Sequence, residues 1–218
     1  MVIKMEIIWK KLRLEDEGII QHYYDMEPVR NCEFTFANNY LWEPFYEIRY
    51  AIVEDMLVFL SEEEELSVSC PLGKGDLKKT VDALTSYFKG VKRPFRMHLV
   101  SPSQFEKLEM LYPGRFQVEY DRDSADYVYE SERLISLAGK KLHGKRNHIN
   151  RFKENYPDWS YEQISDKNVD ECIAMAEIWR QQNGCMEKGE KHNEFCVTIQ
   201  ALEQRERLGL RGGLIRAE

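Results

Sequence analysis

Short apolar runs separated by charged turns mark the first third of the chain. Three of them, over residues 47–53, 56–61 and 66–70, follow one another closely and are rich in β-branched and aromatic residues. Runs of this length bounded by polar residues are typical of strands joined by tight turns, so we predict an antiparallel meander. Upstream, we predict a helix over residues 14–26, whose acidic first turn suits the helix dipole, and a short aromatic-rich helical or irregular segment over residues 33–42.

Helical periodicity follows the meander. Leu77, Val81, Leu84 and Phe88 fall on one face of a helix that opens at Gly75. The next runs predict a strand over residues 95–100, a helix over residues 103–111 and a strand over residues 115–120. The resulting order of elements predicts an α/β (α+β) fold, with a mixed sheet flanked by helices.

The second half repeats part of this order. A helical turn over residues 132–137 precedes a basic stretch, and the elements predicted after it are a strand over residues 159–164, helices over residues 169–182 and 194–208, and a strand over residues 211–217. Gly209 is the expected left-handed end of the last helix. The β-α-α-β order resembles the opening of a second unit, which we expect to be incomplete.

The domain prediction follows from this repeat. We expect a first domain over residues 1–130, a connecting basic helix over residues 131–157, and the truncated start of a second domain over residues 158–218. An unfinished sheet leaves an unpaired edge, which is a liability for association. We therefore expect that edge to pair with the first unit or to be covered by a second copy in a homo-oligomer.

Composition narrows the class of protein. The chain has a formal net charge of -7 and 43% hydrophobic residues, enough for a folded core. No run approaches the roughly 18 apolar residues that span a bilayer, and the charged N-terminus does not resemble a signal peptide, so we expect a cytoplasmic protein without a transmembrane segment. The five cysteines include no CxxC pair and the histidines no HExxH spacing, so we expect neither a disulfide framework nor a metal site.

The first candidate for chemistry is the Gly-x-Gly turn Gly73-Lys74-Gly75, between a predicted strand and a predicted helix. Backbone N–H groups at such a turn can bind the phosphates of a cofactor at the positive end of the helix dipole. The alternative is a structural turn in which glycine geometry is needed and Asp76 caps the helix. Asp76 favours this alternative, because it places a carboxylate where a phosphate would lie. Cys70 also favours it, because the phosphate-binding turn of acyl-CoA N-acyltransferases has Gln or Arg at that position.

The second candidate is the stretch KKLHGKRNHINRFKENYP, over residues 140–157, with eight Lys, Arg or His residues within its first fourteen positions. In helical projection Leu142, Ile149, Phe152 and Tyr156 share one face, and Lys145 falls inside that face. We therefore expect Lys145 to point toward the interior with Arg146 beside it. The candidate phosphate- or substrate-binding residues are Lys145, Arg146, Asn147, Asn150 and Arg151. A solvated basic helix is the alternative, and no catalytic pair can be assigned.

Several segments together resemble one family, that of the phosphatidylglycerol lysyltransferase C-terminal domain, including its small standalone bacterial members. The resemblance is carried by Asp126-Tyr127-Val128-Tyr129, by residues 134–141, by Lys145-Arg146-Asn147 and by Asn150-Arg151-Phe152-Lys153. Upstream, residues 30–34, 36–38, 41–42 and 71–75 also fit that family. The similarity covers most of the chain.

The resemblance implies a tandem pair of GNAT-like (acyl-CoA N-acyltransferase-like) domains. It also implies a transferase that moves an acyl or aminoacyl group from acyl-CoA or aminoacyl-tRNA to an amine or hydroxyl acceptor, such as an anionic lipid headgroup. No cofactor is certain, and these donors would be substrates. The alternative is a non-catalytic GNAT-like module that binds a phosphate-bearing ligand or a protein partner, and an incomplete second domain would favour that alternative.

Overall fold

The fold is that of a computed structural model, which describes residues 6–26, 31–62, 65–122, 125–183 and 189–217. The chain divides into two compact units, with the boundary between Tyr120 and Asp121. Arg30, in one of the segments that carry the family resemblance, and Cys185, one of the five cysteines, lie outside the described ranges.

The first unit contains a mixed five-stranded sheet in the order β1-β2-β3-β4-β5. β1 to β4 are antiparallel neighbours, while β4 and β5 run parallel. The strands are β1 (Lys10–Lys11), β2 (Arg49–Val53), β3 (Met56–Ser61), β4 (Ser67–Ser69) and β5 (Met97–His98). The predicted meander is thus confirmed, and the mixed α/β architecture is consistent with a GNAT-like fold.

Four helices accompany this sheet in the described part of the first unit. They are α1 (Glu17–Tyr24), α2 (Phe36–Tyr46), α3 (Leu77–Gly90) and α4 (Pro102–Leu111). The predicted apolar face of α3 is confirmed, because Leu84 and Phe88 pack with Val58, Leu60 and Val68 in one buried cluster. Burying each such side chain contributes roughly 1.5–3 kcal/mol, so this face anchors α3 to the sheet.

The strand predicted over residues 115–120 is wrong. These residues form neither helix nor strand, and the side chains of Val118 and Tyr120 are 63% and 76% exposed. Phe116 alone of the alternating apolar residues packs against the core, where its ring lies 6.4 Å from that of Phe95. An alternating pattern gives a strand only when a neighbouring strand supplies hydrogen bonds, and no described strand pairs with this segment.

The second unit follows the predicted β-α-α-β order after its basic segment. Its helices are α5 (Ser131–Ser136), α6 (His143–Asn155), α7 (Val169–Gln182) and α8 (Glu190–Glu203), and its strands are β6 (Ser160–Gln163) and β7 (Gly213–Arg216). β6 and β7 pair antiparallel, with Ser160 opposite Arg216. Arg216 also contacts the carboxylates of Glu162 and Glu171, which joins β7 to β6 and α7.

The last predicted helix is displaced. α8 begins at Glu190 and ends at Glu203, whereas the sequence predicts residues 194–208. Gly209 does take the expected left-handed conformation, with φ of 63°, but it closes a separate turn after the helix. In that turn the Leu210 N–H donates to the Arg205 carbonyl at 2.7 Å, the six-residue pattern of a helix-terminating motif.

Candidate functional site

The densest positive charge of the chain lies in the second unit, on α6 and on the 3-10 turn Lys140–Leu142 that precedes it. Residues 134–153 contain six Lys or Arg residues and neither Asp nor Glu, in a chain whose net charge is -7. α6 has thirteen residues and is therefore about 20 Å long. Several cations lie along this length, and the screening length at physiological ionic strength is about 8 Å. Neighbouring cations on the helix can therefore act together on one polyanion.

Four of these cations form what we call the basic surface: Lys140, Lys141, Lys145 and Arg151. All four are exposed, and α6 has no buried residue. No carboxylate of the described residues lies within ion-pair distance of any of them. Within the described ranges, the charge of the basic surface is therefore not neutralised by an ion pair.

The expectation that Lys145 points toward the interior is wrong. Lys145 is exposed, although it lies on the same side of α6 as Phe152 and Tyr156. The apolar face is covered mainly near the end of the helix, where the Phe152 ring lies 5.3 Å from Tyr156 and 6.1 Å from Trp159. Ile149 is already 42% exposed, so among the described residues this face is only partly covered in the half of the helix that carries Lys145.

Arg146 is the half-buried cation of α6. Its Nη1 donates to the carbonyl oxygen of Leu137 and, at 2.9 Å, to that of Gly139. Leu137 ends α5 in the left-handed conformation, with φ of 47°. A cation at the carbonyl end of a helix is favourable for the helix dipole, so Arg146 fixes the turn between α5 and α6. Gly139, with φ of 89°, supplies the backbone conformation that this turn needs.

The remaining predicted site residues share the opposite side of α6. At 100° per residue, Asn147, Asn150 and Arg151 fall within one face, and all three are exposed. The side chain of Asn147 lies 3.2 Å from Nε2 of His143, one turn earlier. The structure thus brings these three together and leaves Lys145 on the other side, so a ligand that touches all of them must contact α6 from more than one side.

The Gly-x-Gly turn of the first unit packs closely against the hairpin turn between β2 and β3. A side chain at Gly75 would overlap the carbonyl oxygen of Glu54 and lie 2.8 Å from the Asp55 carbonyl group, and one at Gly73 would lie 3.0 Å from the Asp55 oxygen. The Asp76 N–H donates to the Glu54 carbonyl at 3.3 Å. This amide is therefore engaged within the protein, and the glycines have a packing role whether or not a cofactor binds. Lys74 between them is exposed.

Asp76 caps α3, as the sequence indicates. Its Oδ1 accepts a hydrogen bond from the Lys79 N–H at 3.0 Å. This hydrogen bond, together with the hydrogen bond and the charge of the Lys79 side chain, holds the pKa of the Asp76 carboxyl below its ordinary value. The exposed, ionised carboxylate beside the turn opposes the approach of a phosphate. These contacts favour the structural interpretation of the turn.

Two residues with unusual environments were not singled out from the sequence. Burial lowers the pKa of His98 to about 4, and its Nδ1 lies 2.9 Å from the Ser67 hydroxyl. Gln104 is buried in the first turn of α4, where it forms a capping box with Ser101. The Ser-x-x-Gln spacing is a readable signal for this cap. Nothing in the sequence indicates that the side-chain nitrogen of Gln104 is left without a partner.

Comparison with known proteins decides the family. A model described as "Phosphatidylglycerol lysyltransferase, C-terminal" matches residues 27–218. The chain belongs to this family. The matched residues include both the Gly-x-Gly turn and the basic surface. The resemblance to the phosphatidylglycerol lysyltransferase C-terminal family, which the sequence motifs indicate, is therefore confirmed.

A solved structure is similar over nearly the whole chain. It is the crystal structure of a conserved protein of unknown function from Bacteroides thetaiotaomicron VPI-5482, with 35% identity and a TM-score of 0.88. The match covers 98% of this chain and 72% of that chain. No functionally curated protein matches. Among the described residues, no helix is both long enough and apolar enough to cross a bilayer.

Proposed function

We propose that this family member transfers an acyl or aminoacyl group from a phosphate-bearing donor, and that the basic surface binds the donor's phosphates. The observation that carries the proposal is the run of exposed cations on α6 without a carboxylate partner among the described residues. An unpaired basic helix on an acidic protein attracts a polyanion while the rest of the surface repels it. Family membership supports a transferase-related role.

The donor that best suits this surface is aminoacyl-tRNA, because its backbone presents many phosphates along the roughly 20 Å of the helix. Acyl-CoA, the other donor considered, would engage fewer of the cations. In the transfer step, an amine or hydroxyl acceptor attacks the carbonyl carbon of the aminoacyl ester. The new amide or ester bond forms, the ester bond breaks, and the tRNA 3′-hydroxyl leaves with a proton. Such a step depends chiefly on positioning and on polarising the carbonyl.

An acceptor such as an anionic lipid headgroup fits the same chemistry, since it offers a hydroxyl or amine next to a phosphate. The basic surface would then attract the membrane as well as the donor. Apolar side chains flank the cations, with Ile149 42% exposed and Trp159 36% exposed. Ile149 lies on α6 and Trp159 four residues after its end, and basic residues beside exposed apolar ones favour contact with an anionic lipid surface.

A transfer assay tests the proposal directly. The chain is incubated with tRNA charged with a radiolabelled amino acid and with vesicles containing phosphatidylglycerol, and label in the lipid fraction is measured. We expect transfer that falls when Lys145 and Arg151 are both changed to Glu. The matched control changes Lys89 and Arg93 to Glu, which alters the net charge equally at exposed positions of the first unit. Equal transfer by both double variants would contradict the role of the basic surface.

The second candidate function is a non-catalytic phosphate-binding module. The observation in its favour is the Gly-x-Gly turn, where the hairpin turn fills the space beside the glycines and engages the Asp76 amide. This candidate predicts that charged tRNA binds with the same dependence on Lys145 and Arg151, but that no label reaches lipid. Binding together with transfer would exclude it.

A further inference from the structure

The motif Asp126-Tyr127-Val128-Tyr129 carries part of the family resemblance and lies outside the basic surface. It belongs to the second unit, in a stretch that is neither helix nor strand and that leads into α5. Tyr127 is 75% exposed and Tyr129 is 55% exposed. Single exposed apolar residues are common on protein surfaces, but two aromatic rings that are exposed together call for a partner.

The backbone holds the two tyrosine rings as a pair, which we call the aromatic pair. Their planes differ by only 17° and their centroids lie 6.5 Å apart. In an extended backbone, residues two positions apart point to the same side, which accounts for this arrangement. Stacked aromatic planes lie about 3.4 Å apart, as bases do along a nucleic-acid strand. At 6.5 Å neither ring covers the face of the other, so each keeps a face for a ligand.

The charged neighbours of the aromatic pair indicate what kind of ring binds there. The guanidinium carbon of Arg122 lies 5.5 Å from the centroid of the Tyr127 ring, within the range of a cation–π contact. Tyrosine rings together with arginine are a usual binding surface for unpaired bases, which stack on both. The exposed carboxylates of Asp126 and Glu130 flank the pair. They disfavour a phosphate at this point, but carboxylates accept hydrogen bonds from the exocyclic amino groups of bases such as cytosine.

Aminoacyl-tRNA presents bases of this kind. Its 3′ end is a single-stranded CCA, in which every base has an exocyclic amino group, and the last nucleotide carries the aminoacyl ester. Tyr129 and Lys140 are joined by a short segment that includes the six residues of α5, so their Cα atoms lie no more than about 30 Å apart. One tRNA can therefore contact the aromatic pair and the basic surface at once.

We propose that Tyr127 and Tyr129 bind the single-stranded 3′ end of the donor tRNA by stacking on its bases. This inference rests on the proposed function, because it names a second part of the same donor. The basic surface binds phosphates, whereas the aromatic pair holds the nucleotides next to the aminoacyl ester. Tyr127 and Tyr129 are thus positioning residues for the donor.

The test compares the affinity of the full chain for an intact uncharged tRNA and for the same tRNA without its 3′ CCA. Stacking on aromatic side chains contributes strongly for each base, so we expect the wild type to bind the intact tRNA at least tenfold more tightly. Tyr127→Ala/Tyr129→Ala should lose this preference and bind the trimmed tRNA as the wild type does, which also shows that the variant is folded.

Two further variants act as controls. Tyr127→Phe/Tyr129→Phe keeps both rings and should keep the preference for the intact tRNA. Tyr120→Ala removes a tyrosine of the first unit that is 76% exposed, and it should also leave the preference unchanged.

Three outcomes would overturn the proposal: equal affinity of the wild type for the two tRNAs, an undiminished preference in the double alanine variant, or a lost preference in the double phenylalanine variant. If the double alanine variant keeps the preference but loses self-association, the aromatic pair is a contact between copies instead.

The basic surface is tested separately in the same experiment. Lys145→Glu/Arg151→Glu should weaken the binding of both tRNAs by the same factor and keep the preference for the intact one. If this variant binds both tRNAs as tightly as the wild type does while the preference persists, the basic surface fails and the aromatic pair stands. If the variant is weaker but the wild type shows no preference, the aromatic pair fails and the basic surface stands.

Discussion

Replacing Gly75 with Ala tests whether the Gly-x-Gly turn is shaped by packing. The new Cβ would overlap the Glu54 carbonyl oxygen and lie 2.8 Å from the carbonyl carbon and oxygen of Asp55, where ordinary contacts begin at 3.4 Å. The Asp55 contacts alone would require the hairpin turn to move by about 0.6 Å, and the overlap with the Glu54 oxygen requires a larger movement; all these atoms are backbone atoms that cannot rotate away. Overpacking of this kind costs about 1–3 kcal/mol, and losing the Asp76–Glu54 hydrogen bond adds about 1 kcal/mol.

We therefore expect Gly75→Ala to lower the free energy of unfolding of the first unit by about 3 kcal/mol. Hydrogen exchange in increasing urea, read by mass spectrometry, follows β3 peptides separately from those of the second unit, whose stability should not change. Gly18→Ala is the matched control. Gly18 lies in α1 with nothing within 4 Å of the new Cβ, so helix propensity should stabilise this variant by up to about 1 kcal/mol. A change below about 0.5 kcal/mol for Gly75→Ala would refute the packing argument.

Three further predictions concern single side chains. NMR titration of His98 should give a pKa near 4, below the ordinary value of 6.5. The unfolded chain therefore takes up a proton before the folded chain does. The stability that neutral His98 contributes is complete above pH 6.5 and is lost as the pH falls toward 4. Arg216→Gln should lower the melting temperature of the second unit at pH 7 and raise the pKa of Glu162 and Glu171, which Arg216 holds low. That contribution is present above the ordinary carboxyl pKa of 4.5 and is lost as the pH falls through the lowered values, so an unchanged melting temperature at pH 7 would count against it. Arg146→Met should accelerate hydrogen exchange around the turn between α5 and α6, whereas Lys145→Met should leave it unchanged.

Much of the fold follows from local patterns. The strands β2 and β3 and the helix α7 lie where alternation and periodicity place them, and Asp76 caps α3 as its position before an apolar helical face indicates. These elements are determined by residues close in sequence. Segments that depend on distant partners carry no such local signal: β1, only Lys10–Lys11, is a strand because it pairs with β2, and its two lysines show no strand pattern.

The candidate site shows the same division. Helical projection correctly groups Lys145 with Phe152, but whether that face is buried depends on what packs against it, and Ile149 on that face is 42% exposed. Ligand binding by Arg146 stays a prediction, but its Nη1 donates to the carbonyls of Leu137 and Gly139, a contact that is set by the conformation of the turn and that the sequence does not indicate. Gln104 Nε2 is buried without a hydrogen-bond partner among the described residues, and no local pattern encodes this.

The salt dependence of binding to charged tRNA tests the central claim most directly. Each phosphate contact adds about 0.7–0.9 to the slope of log affinity against log salt concentration. We predict that Lys145→Glu/Arg151→Glu weakens binding and reduces the magnitude of that slope by about 1.5, while Lys89→Glu/Arg93→Glu keeps the wild-type slope. If the two double variants bind charged tRNA with equal affinity and equal salt dependence, the claim that the basic surface binds the donor is contradicted.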